Sequence, residues 1–200
     1  MTAPESRQRI GLMGGTFDPV HHGHLIVAEW LSAVFNIDQT FFIPTHHHPF
    51  DKRENITPAR HRLAMLSRAI APFPGFQISE YELNRPTVSF TIDTLSHFKE
   101  KFPGSDLYLF MGRDNLESFL KWKEPFKILD MAYLAVYSRP NHNRPVPELE
   151  NHPKILLIDR PVIDISSSHI RHRIRKNLPY RSLVPQRVFE YITNHHLYTS

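Results

Sequence analysis

Short runs of apolar residues alternate along the chain with segments in which apolar residues recur every three or four positions. The short runs have the length of buried strands, whereas the recurring positions are typical of helices that bury one face. Strands are predicted over residues 9–13, 40–43, 76–79, 107–111, 132–137 and 155–158. Helices are predicted over residues 22–35, 91–102, 115–120, 167–175 and 185–195, and over a segment that begins at Thr57-Pro58 and continues through Ile70.

This alternation predicts an α/β fold, a Rossmann-like doubly wound parallel sheet with helices on both faces. Strands that are apolar throughout are typical of sheets covered on both sides. Such sheets bind ligands beyond the carboxyl ends of their strands, where the strand order reverses. We expect residues 1–200 to form a single domain that is helical in its C-terminal portion from about residue 167. Residues 140–153, rich in proline and asparagine, are expected to form a surface excursion.

The composition narrows the class of protein. The chain has 200 residues, 40% of them hydrophobic, which is enough for a continuous core. The absence of cysteine excludes a disulfide framework and a thiolate zinc site, and it fits a cytoplasmic protein. The first residues contain no apolar signal core, and no stretch approaches the roughly 18 apolar residues of a membrane span. The net charge of +4 is scattered, apart from the basic run 171–176, and therefore favours a small polyanionic substrate over nucleic acid.

A glycine-rich stretch joins the first predicted strand to the first predicted helix, and it reads Gly14-Gly15-Thr16-Phe17-Asp18-Pro19-Val20-His21-His22-Gly23-His24. Such a turn points backbone N–H groups at one spot, and the helix N-terminus adds partial positive charge, so the stretch is expected to hold a polyphosphate. The imidazoles of His21 and His24 fall on one face of the first helical turn, and Gly23 is expected to leave room for a ligand. The loop residues expected to contact phosphate are Gly14, Gly15, Thr16 and Phe17. An ordinary turn would explain two glycines but not the whole string.

A second candidate phosphate site opens the helix predicted at residue 167, and it reads Ile165-Ser166-Ser167-Ser168-His169-Ile170-Arg171. One of its hydroxyls is expected to cap the helix, and the others can donate to phosphate. Arg171 offers a bidentate fork for the same ligand. A serine cap with a nearby arginine is more often structural when it occurs alone, but the glycine-rich stretch in the same chain favours phosphate binding at Ser166, Ser167 and Ser168.

These two strings resemble the signatures of the nucleotidylyltransferase superfamily, in which the first string carries a His-x-Gly-His core and the second ends in arginine. Within that superfamily the chain most resembles the bacterial nicotinate-nucleotide adenylyltransferases of NAD biosynthesis. Further similar segments lie at residues 88–95, 111–114, 120–122 and 137–140, and the C-terminal stretch from residue 183 to Leu197-Tyr198 also matches.

The resemblance implies that a mononucleotide phosphate attacks the α-phosphorus of ATP and that pyrophosphate leaves. The attacking phosphate is already anionic near pH 7, so alignment and charge stabilisation suffice and no general base is required. Mg²⁺ is expected to arrive with ATP, held mainly by substrate oxygens and water. The resemblance assigns catalytic roles to His21, His24, Lys52 and Arg171.

The resemblance also assigns residues to each substrate. Trp122 would stack on the pyridine ring, Thr91 would bind the nicotinate carboxylate, and Arg139 would lie near a substrate phosphate. Gly112 and Asp114 would contact ATP, with Asp114 on the ribose. Without the resemblance, these residues would be interpreted as a core tryptophan, a helix-start threonine, a solvated turn arginine and a helix cap.

One segment departs from the family pattern. Residues 44–52 are one residue longer than the family form, and Asp51 takes the position of its usual histidine. Lys52 can be matched, and His48 is expected to supply the missing imidazole to the mononucleotide. The three adjacent histidines 46–48 could suggest a metal site, but we expect a solvated loop, since adjacent side chains diverge and no partner motif accompanies them. In addition, Phe90 replaces a tyrosine of the family and Val88 a proline.

Three alternatives remain open from the sequence. The amide substrate nicotinamide mononucleotide differs from the acid by one charge, and the sequence near Thr91 does not decide between them. Phosphopantetheine adenylyltransferases share both strings but are typically shorter and lack the segments around Thr91 and Trp122. A non-catalytic regulator that binds nucleotide or nucleic acid would fit the basic run 171–176, although no helix-turn-helix signature accompanies it. The expected partners are ATP and a pyridine mononucleotide, with neither membrane nor nucleic acid.

Overall fold

Six parallel strands form one sheet in a computed structural model that describes residues 7–45, 56–85, 88–142, 144–149 and 151–199. The strands are β1 (Arg9–Gly15), β2 (Gln39–Pro44), β3 (Phe76–Ile78), β4 (Asp106–Gly112), β5 (Ala132–Tyr137) and β6 (Ile155–Ile158). Their spatial order is β3-β2-β1-β4-β5-β6. The order therefore reverses between β1 and β4, which pair through Ile10 and Leu107.

Seven α-helices accompany the sheet in the described part of the chain. They are α1 (His22–Val34), α2 (Ala59–Ile70), α3 (Thr91–Lys101), α4 (Arg113–Leu116), α5 (Pro125–Met131), α6 (Ser167–Arg175) and α7 (Gln186–Asn194). Two short 3₁₀ helices cover Phe119–Lys121 and Arg181–Leu183.

The helices cover both faces of the sheet, as predicted. Successive residues of a strand point to opposite faces, so β1 contributes Met13 to one core and Leu12 to the other. The first core packs the sheet against α1, α2, α6 and α7, and the second packs it against α3, α4 and α5. The predicted α/β doubly wound parallel sheet is confirmed.

Some local predictions were incomplete or wrong. Helix α5 was not predicted, and the helix expected over residues 115–120 is divided into α4 and the 3₁₀ turn Phe119–Lys121. The excursion at residues 140–153 is not wholly a surface segment, because Leu149 is 1% exposed and packs in the second core. Among the described residues, no helix combines the length and apolar character needed to cross a membrane.

Candidate active site

A cavity of about 800 Å³ lies at the carboxyl ends of the central strands. Its wall combines the end of β1 with the residue after β2, the turn after β4 and the start of α3. This is the point of strand-order reversal, where doubly wound sheets bind ligands. The wall includes two glycines, Gly14 and Gly15, and the polar and aromatic residues Thr16, Thr45, Glu82, Ser89, Thr91, Asp114, Lys121, Trp122 and Lys123.

Two glycines open this region in different ways. A Cβ built on Gly14 meets no atom within 4 Å, so the backbone there faces open space within the cavity. A Cβ on Gly112 would collide with the carboxylate of Asp114 and lie 3.0 Å from Nε of Arg139. Gly112 therefore allows these two side chains to approach the end of β4. The expectation for Gly23 was wrong, because a Cβ there would meet the His21 ring and Ile163 and not a ligand space.

The imidazoles of His21 and His24 are stacked, with ring centroids 3.7 Å apart. His21 precedes α1 and His24 lies in its first turn, where Nδ1 accepts from the backbone N of His21 at 3.3 Å. The ring of His24 also meets the edge of Phe17 at 5.0 Å. His21 is 4% exposed, and its Nδ1 is buried without a hydrogen-bond partner.

The pKa values of both imidazoles are lowered, which favours their neutral forms at pH 7. Burial lowers the pKa of His21 far below its usual value, and the neighbouring His24 and Arg139 lower it further. Burial also lowers the pKa of His24 to about 3, with the Arg139 charge as the second cause. The pair is therefore a desolvated, uncharged element beside a guanidinium, and an incoming polyanion would raise both pKa values.

Arg139 and Asp114 form an incompletely satisfied pair between the histidines and the cavity. Arg139 Nε lies 3.6 Å from Asp114 Oδ1, and both atoms are buried without a hydrogen-bond partner. Another guanidinium nitrogen, Nη2, donates to the hydroxyl of Tyr137 at 3.4 Å. Because buried polar groups are normally hydrogen-bonded, such a pair is suited to binding a ligand.

Three polar residues of the cavity wall were missed by the sequence analysis. Thr45 and Ser89 are 6% and 8% exposed, and their hydroxyls are buried without partners. The carboxyl of Glu82 accepts from the hydroxyl of Thr94 at 2.7 Å, and burial raises its pKa. Single Thr, Ser and Glu residues carry no sequence signal that distinguishes them from surface residues.

The residues expected to bind the pyridine mononucleotide are divided between the cavity and its neighbourhood. Thr91 begins α3 and lines the cavity, as does Trp122, whose ring packs on Phe119 at 5.5 Å. Lys123 places its ammonium 4.6 Å from the ring centroid of Phe90 on the same wall. Arg139 is not a wall residue but contacts Asp114, which is. His48 and Lys52 lie outside the described residues.

The serine-rich string contacts the glycine-rich loop. Ser166 caps α6 by accepting from His169 N at 3.2 Å, while Ser167 Oγ donates to the carbonyl of Pro19 at 2.8 Å. Arg171 donates to the carbonyl of Asp18 at 2.5 Å and, through Nη2, to Ser168 Oγ at 3.2 Å. None of these four residues lines the cavity.

Phe17 also lies outside the cavity wall. Its backbone is left-handed, with φ of 48°, and its side chain is 1% exposed in the first core. The ring therefore supports Gly15 and His24 from beneath.

A family model and curated relatives match most of the chain. The cytidylyltransferase-like family model matches residues 12–173. A probable nicotinate-nucleotide adenylyltransferase of Leifsonia xyli is 38% identical over 196 residues, covering 98% of this chain and 96% of the relative. A protein of the same name from Tropheryma whipplei is 38% identical over 188 residues, covering 94% and 98%.

Solved structures share the fold. The nicotinic acid mononucleotide adenylyltransferase of Plasmodium falciparum, complexed with APC, has a TM-score of 0.82 at 22% identity, covering 96% of this chain and 98% of that one. The same enzyme complexed with NaAD has a TM-score of 0.80 at 23% identity, with the same coverage.

Proposed function

This chain belongs to the nicotinate-nucleotide adenylyltransferases within the cytidylyltransferase-like family, and on that basis we propose that it transfers AMP from ATP to nicotinate mononucleotide. An oxygen of the mononucleotide phosphate forms a bond to the α-phosphorus of ATP, and the bond from that phosphorus to the oxygen it shares with the β-phosphorus breaks, so that this oxygen leaves with pyrophosphate. The products are deamido-NAD and pyrophosphate.

The observation that carries this proposal is a group of buried polar atoms without partners around one cavity. Thr45 Oγ1, Ser89 Oγ and Asp114 Oδ1 belong to residues of the cavity wall, and Arg139 Nε lies 3.6 Å from Asp114 Oδ1. An unpartnered buried donor or acceptor costs about 1–3 kcal/mol, so four of them at this end of the sheet favour a ligand that satisfies them. A dinucleotide product offers phosphates, ribose hydroxyls and a carboxylate to such a set.

The chemistry requires alignment and charge stabilisation. The glycine backbone at Gly14 is proposed to approach the phosphates, and His21, His24 and Arg139 to stabilise the charge that develops on the transferring phosphate. Each neutral imidazole keeps one N–H group that can donate to a phosphate oxygen, and Nδ1 of His24 already accepts from the backbone N of His21, so Nε2 carries its proton. Mg²⁺ is proposed to enter with the ATP substrate, where it would neutralise part of the triphosphate charge and would be held mainly by substrate oxygens and water.

The other assignments combine the position of the cavity-wall residues with the resemblance, which alone assigns the residues outside the wall. Asp114 is proposed to bind a ribose hydroxyl of ATP, and Trp122 to stack on the pyridine ring. Thr91 and Ser89 are proposed to hydrogen-bond the pyridine substituent. Gly15, Thr16, Gly112, Ser166, Ser167, Ser168 and Arg171 are proposed to shape the phosphate end, with Lys52 and His48 assigned by resemblance alone.

The acid mononucleotide fits the charge of the wall better than the amide. Lys121 and Lys123 flank Trp122 on the cavity wall, and Lys123 sits over the ring of Phe90, next to Thr91. These features support nicotinate over nicotinamide.

The test is pyrophosphate release by purified protein from ATP and Mg²⁺ with each mononucleotide in turn. We expect release to depend on the mononucleotide and kcat/KM to be higher for the acid. A preference for the amide would overturn the assigned substrate and leave the reaction class intact. Nucleotide binding without turnover of either mononucleotide would refute the enzyme and favour a regulator.

A further inference from the structure

The C-terminal end of the chain returns to the loop between β1 and α1. The hydroxyl of Tyr198 donates to Oδ1 of Asp18 at 2.7 Å, across 180 positions in the sequence. Asp18 is 1% exposed, so this contact is inside the protein. The other carboxylate oxygen accepts from the backbone N of Thr57 at 3.4 Å and lies 4.0 Å from Nη1 of Arg171.

The same loop is held at its backbone carbonyls. Arg62 donates to the carbonyl of Thr16 at 2.8 Å, Arg171 to that of Asp18 at 2.5 Å, and Ser167 to that of Pro19 at 2.8 Å. These contacts involve main-chain atoms, whereas Tyr198 holds the Asp18 side chain. The tail therefore adds a hydroxyl contact to the Asp18 side chain, beside those of Thr57 and Arg171, in a loop that leads from the cavity to the histidines.

The backbone of Tyr198 is left-handed, with φ of 66°, a region that residues other than glycine avoid. His196, with φ of 48°, closes α7 in an ordinary C-terminal turn, in which its N–H donates to the carbonyl of Thr193 and that of Leu197 donates to the carbonyl of Ile192. Burial raises the pKa of Tyr198, and the Asp18 charge raises it further, so the hydroxyl keeps its proton and remains a donor. Strain of this kind persists only where surrounding contacts determine it, and it concentrates at functional sites.

We propose that Tyr198 is a positioning residue for the transfer reaction and acts through Asp18. One end of the loop places Gly14, Gly15 and Thr16 in the cavity wall, and the other end leads into His21. By fixing the middle of the loop, Tyr198 keeps both ends aligned on the same phosphate. The proposal rests on the proposed adenylyl transfer and adds to that reaction a residue that lies outside the cavity wall.

The test is the variant Tyr198→Phe, which keeps the ring and removes the hydroxyl. We expect kcat to fall about 10-fold at 25 °C, which corresponds to about 1.4 kcal/mol, while KM for the pyridine mononucleotide changes less than about twofold. Amide hydrogen exchange over residues 14–24 should become faster. The matched control is Tyr180→Phe, because among the hydrogen bonds of the described residues the Tyr180 hydroxyl contacts only the exposed Thr193 hydroxyl, at 3.4 Å. This variant should change neither kcat nor hydrogen exchange over residues 14–24.

A combined variant shows whether Tyr198 acts through Asp18. In an Asp18→Ala background, which removes the acceptor of the Tyr198 hydroxyl, the further effect of Tyr198→Phe on kcat should shrink to less than about twofold. A purely structural role would lower the melting temperature of Tyr198→Phe and leave kcat and exchange over residues 14–24 unchanged at 25 °C, which would overturn the proposal. If the wild type turns over neither mononucleotide, the proposed function fails, but the exchange measurement still decides whether Tyr198 orders the loop.

Discussion

Gly14→Ala separates the ligand role of the glycine-rich loop from its structural role. The added Cβ would meet no protein atom within 4 Å, and Gly14 φ is not in the left-handed region, so the fold should accept it. Replacing glycine at such a site stabilises by about 0.4–1 kcal/mol through the unfolded chain. Within the cavity, however, the methyl group lies on the surface that the proposal assigns to the phosphates.

The expected loss follows from contact distances. A phosphate oxygen approaches a backbone N–H to about 2.9 Å, whereas a methyl carbon holds it at about 3.5 Å or more. Displacement of reacting atoms by about 1 Å can cost about 10²-fold. We therefore expect kcat/KM for ATP to fall about 30- to 100-fold, and the affinity for a non-hydrolysable ATP analogue to fall at least 10-fold in calorimetry.

The control for this prediction is Gly75→Ala. A Cβ there meets only the carbonyl oxygen of Asp38 at 3.8 Å, an ordinary contact, and Gly75 does not line the cavity. Its kinetics should match the wild type, and both variants should melt at or above the wild-type temperature. Normal analogue affinity in a folded Gly14→Ala protein would refute phosphate approach at Gly14.

The remaining predictions concern the ring, hydroxyl and imidazole groups. Trp122→Ala should raise KM for the pyridine mononucleotide about 10-fold and KM for ATP less than about twofold; equal effects on both would contradict stacking. Ser89→Ala should lower kcat/KM for the mononucleotide about 5- to 10-fold without loss of stability, because its hydroxyl has no protein partner to lose; calorimetric melting provides the check. His24→Ala should abolish turnover in a folded protein. In the wild type, an unfolded histidine gains a proton below about pH 6.5, whereas His24 in the folded protein does not until about pH 3. The free energy of unfolding should therefore fall, as the pH is lowered through that window, by up to about 1.4 kcal/mol per pH unit. Urea unfolding at pH 7.5 and 5 should show a smaller loss for His24→Ala than for the wild type, and an equal loss would contradict the assignment.

The strands were predictable because each is an uninterrupted apolar run, and burial on both faces demands that composition. Helix α5 was not, because seven residues span about two turns and give little periodicity. Helices of that length form through tertiary contacts, here the burial of Ile128 and Leu129 in the second core. A pattern in the local sequence cannot report contacts that only the assembled sheet provides.

The same distinction applies to the candidate site. Gly14, Thr91, Asp114 and Trp122 were grouped by sequence motifs, and the structure brings all four to one cavity wall. Ser89 lies in the similar segment 88–95, but no sequence motif distinguishes it. Its distinguishing feature is a buried hydroxyl without a hydrogen-bond partner, which is a property of three-dimensional packing. The pKa values of the histidine pair are likewise lowered by burial and by Arg139, which is distant in the sequence but close in the folded protein.

The two sequence strings form one physical unit. Arg62 is 2% exposed and the Arg171 side chain 12%, and each donates to a loop carbonyl. In a trans peptide the N–H points opposite to the C=O, so the Arg62 contact at Thr16 turns the amide of Phe17 away from that arginine. Buried guanidinium charges also raise the local potential for a polyanion without touching it, because screening is weak inside the protein. In the proposed reaction, Ser167 and Arg171 of the second string act by holding the carbonyls of Pro19 and Asp18, which is consistent with their position beside the loop and outside the cavity.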